Sequence, residues 1–158
     1  MSDPGQINCR KAGSADVDVI ADYNCRLAKE TEGRILDADV VRKGVRRGLQ
    51  LSPEVRYFVA EFEGRVIGQI MFTREWSDWR DGWMIWLQSV YVAADFRRCG
   101  VFRRLLETSL QAIESEATVV CLRLYVEHDN DAAKSCYRAL GFTDSGYQVM
   151  EAPAQRKS

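Results

Sequence analysis

The sequence predicts an α/β fold, and three observations predict it. The first is the stretch Gln88 to Leu106, QSVYVAADFRRCGVFRRLL. It passes from the apolar run Val90-Tyr91-Val92 through a basic glycine turn, Arg97-Arg98-Cys99-Gly100, into a helical pattern. The second is the pair of apolar runs YFVAE (57–61) and VIGQIMF (66–72), separated only by Glu63-Gly64, which reads as a β-hairpin. The third is the interleaving of such runs with stripes at helical spacing, for example Phe102, Leu105, Leu106, Ser109 and Ile113.

Taken in order, Ile7 to Lys11 is a short first strand. Ser14 caps a helix with acidic Asp16 and Asp18 in its first turn. Val17, Ile20, Ala21, Tyr23, Asn24 and Leu27 form its inner face as far as about Glu30, and Gly33 breaks it. Asp37 or Asp39 caps a second helix, with Val40, Val41, Val45 and Leu49 on one side, and Ser52-Pro53 ends it. After the hairpin, TREWSDWRDG (73–82) reads as a loop and WMIWLQSVYV (83–92) as a long strand. VVCLRLYV (119–126) is a further strand, with Val120, Leu122, Leu124 and Val126 on one face. Asn130 or Asp131 starts a helix whose Ala133, Cys136, Tyr137 and Leu140 share a stripe, and Gly141 stops it. Phe142 to Met150 is expected to hold a final strand. Residues 1–151 read as a single domain and 152–158 as a frayed tail.

The chain has 158 residues, enough to bury a core without disulfides or metal. With 22 Lys+Arg against 23 Asp+Glu, bulk charge does not favour nucleic acid, so any anion site is local. The five cysteines show no C-x-x-C spacing, which fits reduced thiols in a cytoplasm, and the single His128 excludes a His-rich metal centre. No signal-peptide core or membrane-length apolar run is visible. A strand, a glycine turn and a helix start bring unpaired amides and the positive end of a helix dipole together, which favours a bound anion. Arg97 and Arg98 add charge suited to phosphate.

The order of elements, the turn Arg97-Arg98-Cys99-Gly100-Val101-Phe102, and a second set formed by Leu124-Tyr125-Val126, Asn130, Ala133, Tyr137 and Gly141-Phe142 resemble the GCN5-related N-acetyltransferase (GNAT) superfamily. About 30 residues separate the two sets, and the likeness covers almost the whole chain. The turn departs from the family pattern Q/R-x-x-G-x-G/A at Phe102, where a small residue is usual; this bears on how closely the helix start approaches a phosphate. The resemblance implies a mixed, mostly antiparallel sheet with a central splay and helices on both faces, binding acetyl-CoA as cosubstrate. On it, Arg97, Arg98, Cys99, Gly100, Val101 and Phe102 hold the pyrophosphate. Val90, Tyr91 and Val92 pair with the pantetheine arm, and Asn130 bonds that arm. The Val92 amide serves the oxyanion, and Tyr137 is the general acid; a phenol of pKa about 10 is a reasonable donor to a thiolate.

The expected acceptor is a primary amine on a small basic molecule, of polyamine or amino-acid type. Glu30, Glu32, Glu75, Trp76, Asp78 and Gln88 are the substrate-side residues, because aromatic faces beside carboxylates suit a cation. Relatives of polyamine type place a basic glutamate near Gln88, which cannot accept a proton. Glu75, Asp78, Asp81, Glu30, Glu32 and Glu127 stand as candidate bases, together with a water chain or an amine that arrives neutral. The tryptophans also read as packing or as a subunit interface, and Asn130 as a plain helix cap. The rival functions are a protein lysine or N-terminal acetyltransferase and a non-catalytic acyl-CoA-binding module. The expectation includes a homodimer in the cytoplasm, with no nucleic-acid or membrane partner.

Overall fold

The computed structural model describes residues 6–155, which fall into two compact units, one ending at Tyr125 and one beginning at Val126. The first unit contains β1 (Asn8–Lys11), α1 (Val17–Glu32), α2 (Ala38–Gly48), β2 (Val55–Phe62), β3 (Arg65–Ser77), β4 (Gly82–Val92), α3 (Val101–Glu114) and β5 (Val119–Leu124). The strands form one sheet in the order β1-β2-β3-β4-β5. The first four are antiparallel neighbours, and β5 runs parallel to β4. No helix among the described residues is long and apolar enough to cross a membrane.

Strand alternation assigns the two faces of the sheet. Tyr57 and Val59 of β2 pack with Val17, Ile20 and Ala21 of α1 and Val45 of α2. Their neighbours point the other way. Phe58 meets Phe72 edge-on at 5.9 Å, and Gly68 comes so close to Val101 at the start of α3 that a Cβ there would lie 3.1 Å from a valine methyl. Helices therefore cover both faces, α1 and α2 on one and α3 on the other.

The entry to α1 differs from the expected Ser14 cap. Ser14–Asp16 form a 3₁₀ turn, no side chain caps α1, and Asp16 instead anchors the turn that leads into it. Its buried carboxylate accepts from the Gly13 amide at 2.7 Å and from Arg10 at 2.8 and 3.0 Å, and Arg10 also reaches Glu61 at 2.9 Å. A charged partner from β1 outcompetes a hydroxyl cap because a bidentate guanidinium–carboxylate pair is the stronger bond. Gly33 ends α1 at φ +63, as its position after the apolar stripe implies, and Asp37 caps α2 through the amides of Asp39 and Val40. Val40 is exposed, so the inner stripe of α2 is carried by Val41, Val45 and Leu49.

The tryptophan-rich stretch is mostly sheet. β3 runs on to Ser77 and β4 begins at Gly82, leaving only residues 78–81 as a turn. The charged and aromatic composition of TREWS hides a regular alternation, stabilised by cross-strand pairs such as Thr73↔Trp86 and Trp76↔Trp83.

Beyond Leu87 the sheet opens. The β4–β5 register runs from Trp83↔Val119 to Leu87↔Leu124, while β4 continues against β3 to Val92. In that continuation β4 carries a bulge: Gln88 pairs with Met71 and Tyr91 with Gln69, so two residues, Ser89 and Val90, stand opposite Ile70 alone. Ser89 takes the left-handed conformation at φ +51. The extra residue reverses the alternation, so Gln88 and Tyr91 face the same side although they are three apart.

In the second unit, α4 (Asp131–Ala139) is capped by Asn130, whose side chain accepts from the Ala133 amide at 3.1 Å. The strand expected within 142–150 does not form among the described residues. Its pattern is broken by Gly146 at φ +82, and the Tyr147 amide bonds the Ser145 hydroxyl in a local turn at 3.2 Å.

Candidate active site

The site is built where β4 ends and α3 begins. Ala94–Phe96 form a 3₁₀ turn, Arg97 is extended, Arg98 is left-handed at φ +63, and Gly100 caps α3 at φ +75. No side chain caps the helix, and its backbone ladder opens with the Arg104 amide on the Gly100 carbonyl at 3.1 Å. The first-turn amides thus lie outside the ladder, beside the positive end of the dipole. Nothing lies within 4 Å of where a Gly100 Cβ would be, so the turn is an open cradle. Arg98 is exposed beside it, and Cys99 is half-buried with its Sγ 3.5 Å from the Arg97 carbonyl. Val101 is the residue that turns into the core. Phe102 is half-buried and does not take that place.

Arg97 is paired within the protein. Its guanidinium donates to Glu30 at 2.7 Å and to the Val92 carbonyl at 2.9 Å, and lies over the Tyr91 ring at 5.3 Å. The Tyr91 hydroxyl donates to the other Glu30 oxygen at 2.8 Å, and the Tyr91 ring packs on Tyr23 at 4.9 Å. Burial works against ionisation of Glu30, but the bonds from Arg97 and Tyr91 outweigh it and hold the carboxyl below the usual glutamate range. Burial, reinforced by Glu30, raises the Tyr91 phenol. Glu30 therefore spends both oxygens tying the end of α1 to the turn. Glu32 is exposed on the same helix end, 3.6 Å from Arg34.

The open edge of β4 follows from strand geometry. The Ala93 amide donates to Ile67 of β3 at 2.8 Å, so by alternation the Val92 amide points to the opposite edge, where no β5 residue is in register. The Val90 amide shares that edge.

On the α1 face of the same strands, Gln88 donates to the Thr73 hydroxyl at 2.7 Å. Two rungs away, Glu75 accepts from the Trp86 indole at 3.0 Å, with Arg123 at 3.6 Å; Trp86 stacks on Tyr125 at 4.5 Å. Arg123 is not singled out by the sequence, since only the register of β3, β4 and β5 brings it together with Trp86 and Tyr125. Trp76 lies on the other face, packed on Trp83 at 5.0 Å, and Arg74 sits over that ring at 4.0 Å. Asp78 is exposed in the hairpin turn. The expected cluster of tryptophans and carboxylates is thus divided: Glu75 and Gln88 share a face, and Trp76 does not.

In the second unit, Tyr137 meets Phe142 edge-on at 5.7 Å, and burial, with a smaller contribution from Cys136, raises its phenol above the ordinary value. The Asn130 carbonyl oxygen serves as the α4 cap.

The model of the acetyltransferase (GNAT) family matches residues 23–142, three quarters of the chain. The chain belongs to this family. Acetyl-CoA is the acetyl donor of GNAT enzymes, and the mixed sheet, opened beside β4, is the GNAT fold. A crystal structure described as a possible acetyltransferase from Clostridium difficile 630 is 40% identical, with a TM-score of 0.86 over 96% of this chain and 99% of that one. A predicted acetyltransferase with acetyl-CoA from Clostridium acetobutylicum shares the fold at 14% identity, with a TM-score of 0.76 over 92% of this chain and 96% of that one. An N-alpha-acetyltransferase of Sulfurisphaera tokodaii is 30% identical over 100 residues; the match spans 58% of this chain and 58% of that relative.

Proposed function

We propose that this GNAT protein moves an acetyl group from acetyl-CoA to the primary amine of a small basic molecule, by direct attack in a ternary complex. The observation that carries the reading is the continuity of one open edge. The unpaired side of β4 at Val90 and Val92 leads through a left-handed turn to the uncapped start of α3. A peptide-like pantetheine arm suits the first part and a pyrophosphate suits the second. The amides of Arg98, Cys99, Gly100 and Val101 form the phosphate cradle together with Phe102 as the family pattern has it. Arg97 holds the turn in place through Glu30 instead of meeting phosphate itself.

In the reaction the neutral amine nitrogen bonds to the thioester carbon. The Val92 amide stabilises the oxyanion, the C–S bond breaks, and the leaving thiolate takes the Tyr137 proton. The new amide nitrogen releases its extra proton to solvent, and solvent returns a proton to the Tyr137 phenolate. Tyr137 and Asn130 enter on the match to the family motif. The high phenol pKa keeps Tyr137 protonated until the thiolate forms. Glu75, half-exposed beside the stacked Trp86 and Tyr125, attracts the cationic acceptor, with Gln88 on the same face.

A second reading, transfer to the N-terminus of a protein, is favoured by the likeness to the Sulfurisphaera relative, an N-alpha-acetyltransferase. Calorimetric titration with acetyl-CoA, followed by thiol release against polyamines, amino acids and short peptides, separates the two. Release with a polyamine or a lysine-like amine, and a Tyr137→Phe turnover roughly 100-fold lower at unchanged acetyl-CoA affinity, supports the first reading. Release with peptides alone supports the second. Binding without release from any amine contradicts both.

A further inference from the structure

Gln69 is the one uncharged amide among the buried polar residues of the sheet, 1% exposed in a run of apolar neighbours on β3. Its Nε2 donates to the Ser89 carbonyl at 3.1 Å and to Asn24 Oδ1 on α1 at 2.8 Å. The carbonyl fixes which end of the amide faces the bulge, since only the NH₂ end can donate to it. Its Oε1 is buried with no hydrogen-bond partner among the described residues. An orphaned buried acceptor weakens a fold, so a position chosen for packing alone would hold leucine or methionine.

What Gln69 gains is control of the bulge. Ser89 is a non-glycine residue held left-handed, a conformation that L side chains resist. The bulge turns the Ser89 carbonyl out of the β3–β4 ladder, and the Gln69 amide is what meets it. The same bulge reverses the alternation that sets Tyr91 toward Glu30 and the Val90 and Val92 amides toward the open edge.

We propose that Gln69, braced by Asn24, is a positioning residue that locks the Ser89 bulge and so aims the Val90–Val92 edge at the reacting thioester. The claim rests on the acetyl-transfer reading for its catalytic consequence, but the lock itself is independent of any ligand. At 1% exposure Gln69 offers a ligand almost no surface, and it acts through the backbone.

The test is Gln69→Met, close in shape and lacking the amide, alone and combined with Ser89→Gly. In Gln69→Met, hydrogen exchange at Tyr91 and Ala93, whose amides face β3, accelerates at least tenfold relative to Trp83 to Leu87, and kcat/KM falls roughly 100-fold, as expected for sub-ångström misplacement. The acetyl-CoA dissociation constant rises by less than about tenfold, because the phosphate cradle is untouched, and the melting temperature falls little, because removing the orphaned Oε1 offsets the donors withdrawn from Ser89 and Asn24. Adding Ser89→Gly restores kcat/KM to within about tenfold of wild type, because glycine takes positive φ at no steric cost. A purely structural Gln69 predicts the reverse: lower melting temperature and no rescue. If Gln69→Met does not fold, Asn24→Ala carries the same expectation in milder form. Unchanged exchange at Tyr91 and Ala93, or failure of the glycine to rescue, overturns the proposal. A wild-type protein that neither binds acetyl-CoA nor releases thiol contradicts the acetyl-transfer reading, while the exchange measurement still decides whether Gln69 holds the bulge.

Discussion

The two halves of β4 are held in different ways. From Trp83 to Leu87 the strand is paired on both sides, and β5 comes so close that a Cβ on the preceding Gly82 would lie 2.3 Å from a Val120 methyl. From Gln88 to Val92 it is paired with β3 alone, is bulged at Ser89, and is steadied by side chains: Gln69 on the bulge, and Arg97 on the Val92 carbonyl. Backbone pairing closes the first half and gives stability. Side-chain bonding holds the second half while leaving one edge available. A strand can thus be rigid where it carries the fold and rigid but unsatisfied where it meets a ligand.

The sharpest way to break this contrast is at the end of the open half. Gly100→Glu puts a like charge in the phosphate cradle and is expected to raise the acetyl-CoA dissociation constant roughly 100-fold or more. Gly100→Ala adds only the strain of a side chain at φ +75, so its dissociation constant stays near wild type. Calorimetry on both variants separates charge from backbone strain. If the two lose affinity equally, the cradle does not hold phosphate.

A smaller effect, of the opposite kind, is expected in the closed half. Gly82→Ala drives a methyl into Val120, with the Thr118 carbonyl also 3.3 Å away. Overpacking of this kind costs about 2 kcal/mol. Thermal unfolding is expected to shift down by roughly 4–8 °C. Acetyl-CoA affinity of the folded protein is unchanged. A loss of affinity without a loss of stability would mean that the halves are not separate.

Much of this contrast lies in the register, and register is what one sequence shows least. The glycine turn, the α3 stripe and the β2–β3 hairpin were legible, because each depends on local spacing and on residues with restricted backbone conformations. Thr73–Ser77 was read as loop because its charges and tryptophans mask a period of two that partner strands make plain. Ser89 carries no bulge signal of its own; the bulge exists only as a mismatch between two strands. Gln69 did leave a signal, a lone amide inside VIGQIMF, but nothing local says which backbone group it would meet. The pairing of Arg97 was illegible for the same reason, since its partner Glu30 is distant in the chain and comes near only once α1 packs against β4. The strand expected within 142–150 and the expected Ser14 cap, neither of which forms, show the other limit. Local preference yields where a nearby glycine or a stronger ion pair is present.

The smallest expected effect concerns the brace between α1 and the turn. Glu30→Gln weakens its bonds to Arg97 and Tyr91. Solvent screening of this half-exposed pair keeps the loss of stability within about 1 kcal/mol. The folded pKa of Glu30 lies below its unfolded value, so the stability it contributes is present above the unfolded pKa and is lost as pH falls through the folded one. The difference in melting temperature between wild type and Glu30→Gln is therefore flat near neutrality and shrinks in acid. A difference that grows in acid would contradict the assigned charge state.

The most direct test of the account is an amide NMR titration of the wild-type protein with acetyl-CoA. The account predicts large shifts at Val90, Val92 and Arg98 to Arg103, with Trp83 to Leu87 nearly still. Shifts spread evenly along β4, or absent from the start of α3, would contradict the division of the strand into a closed half and a working one.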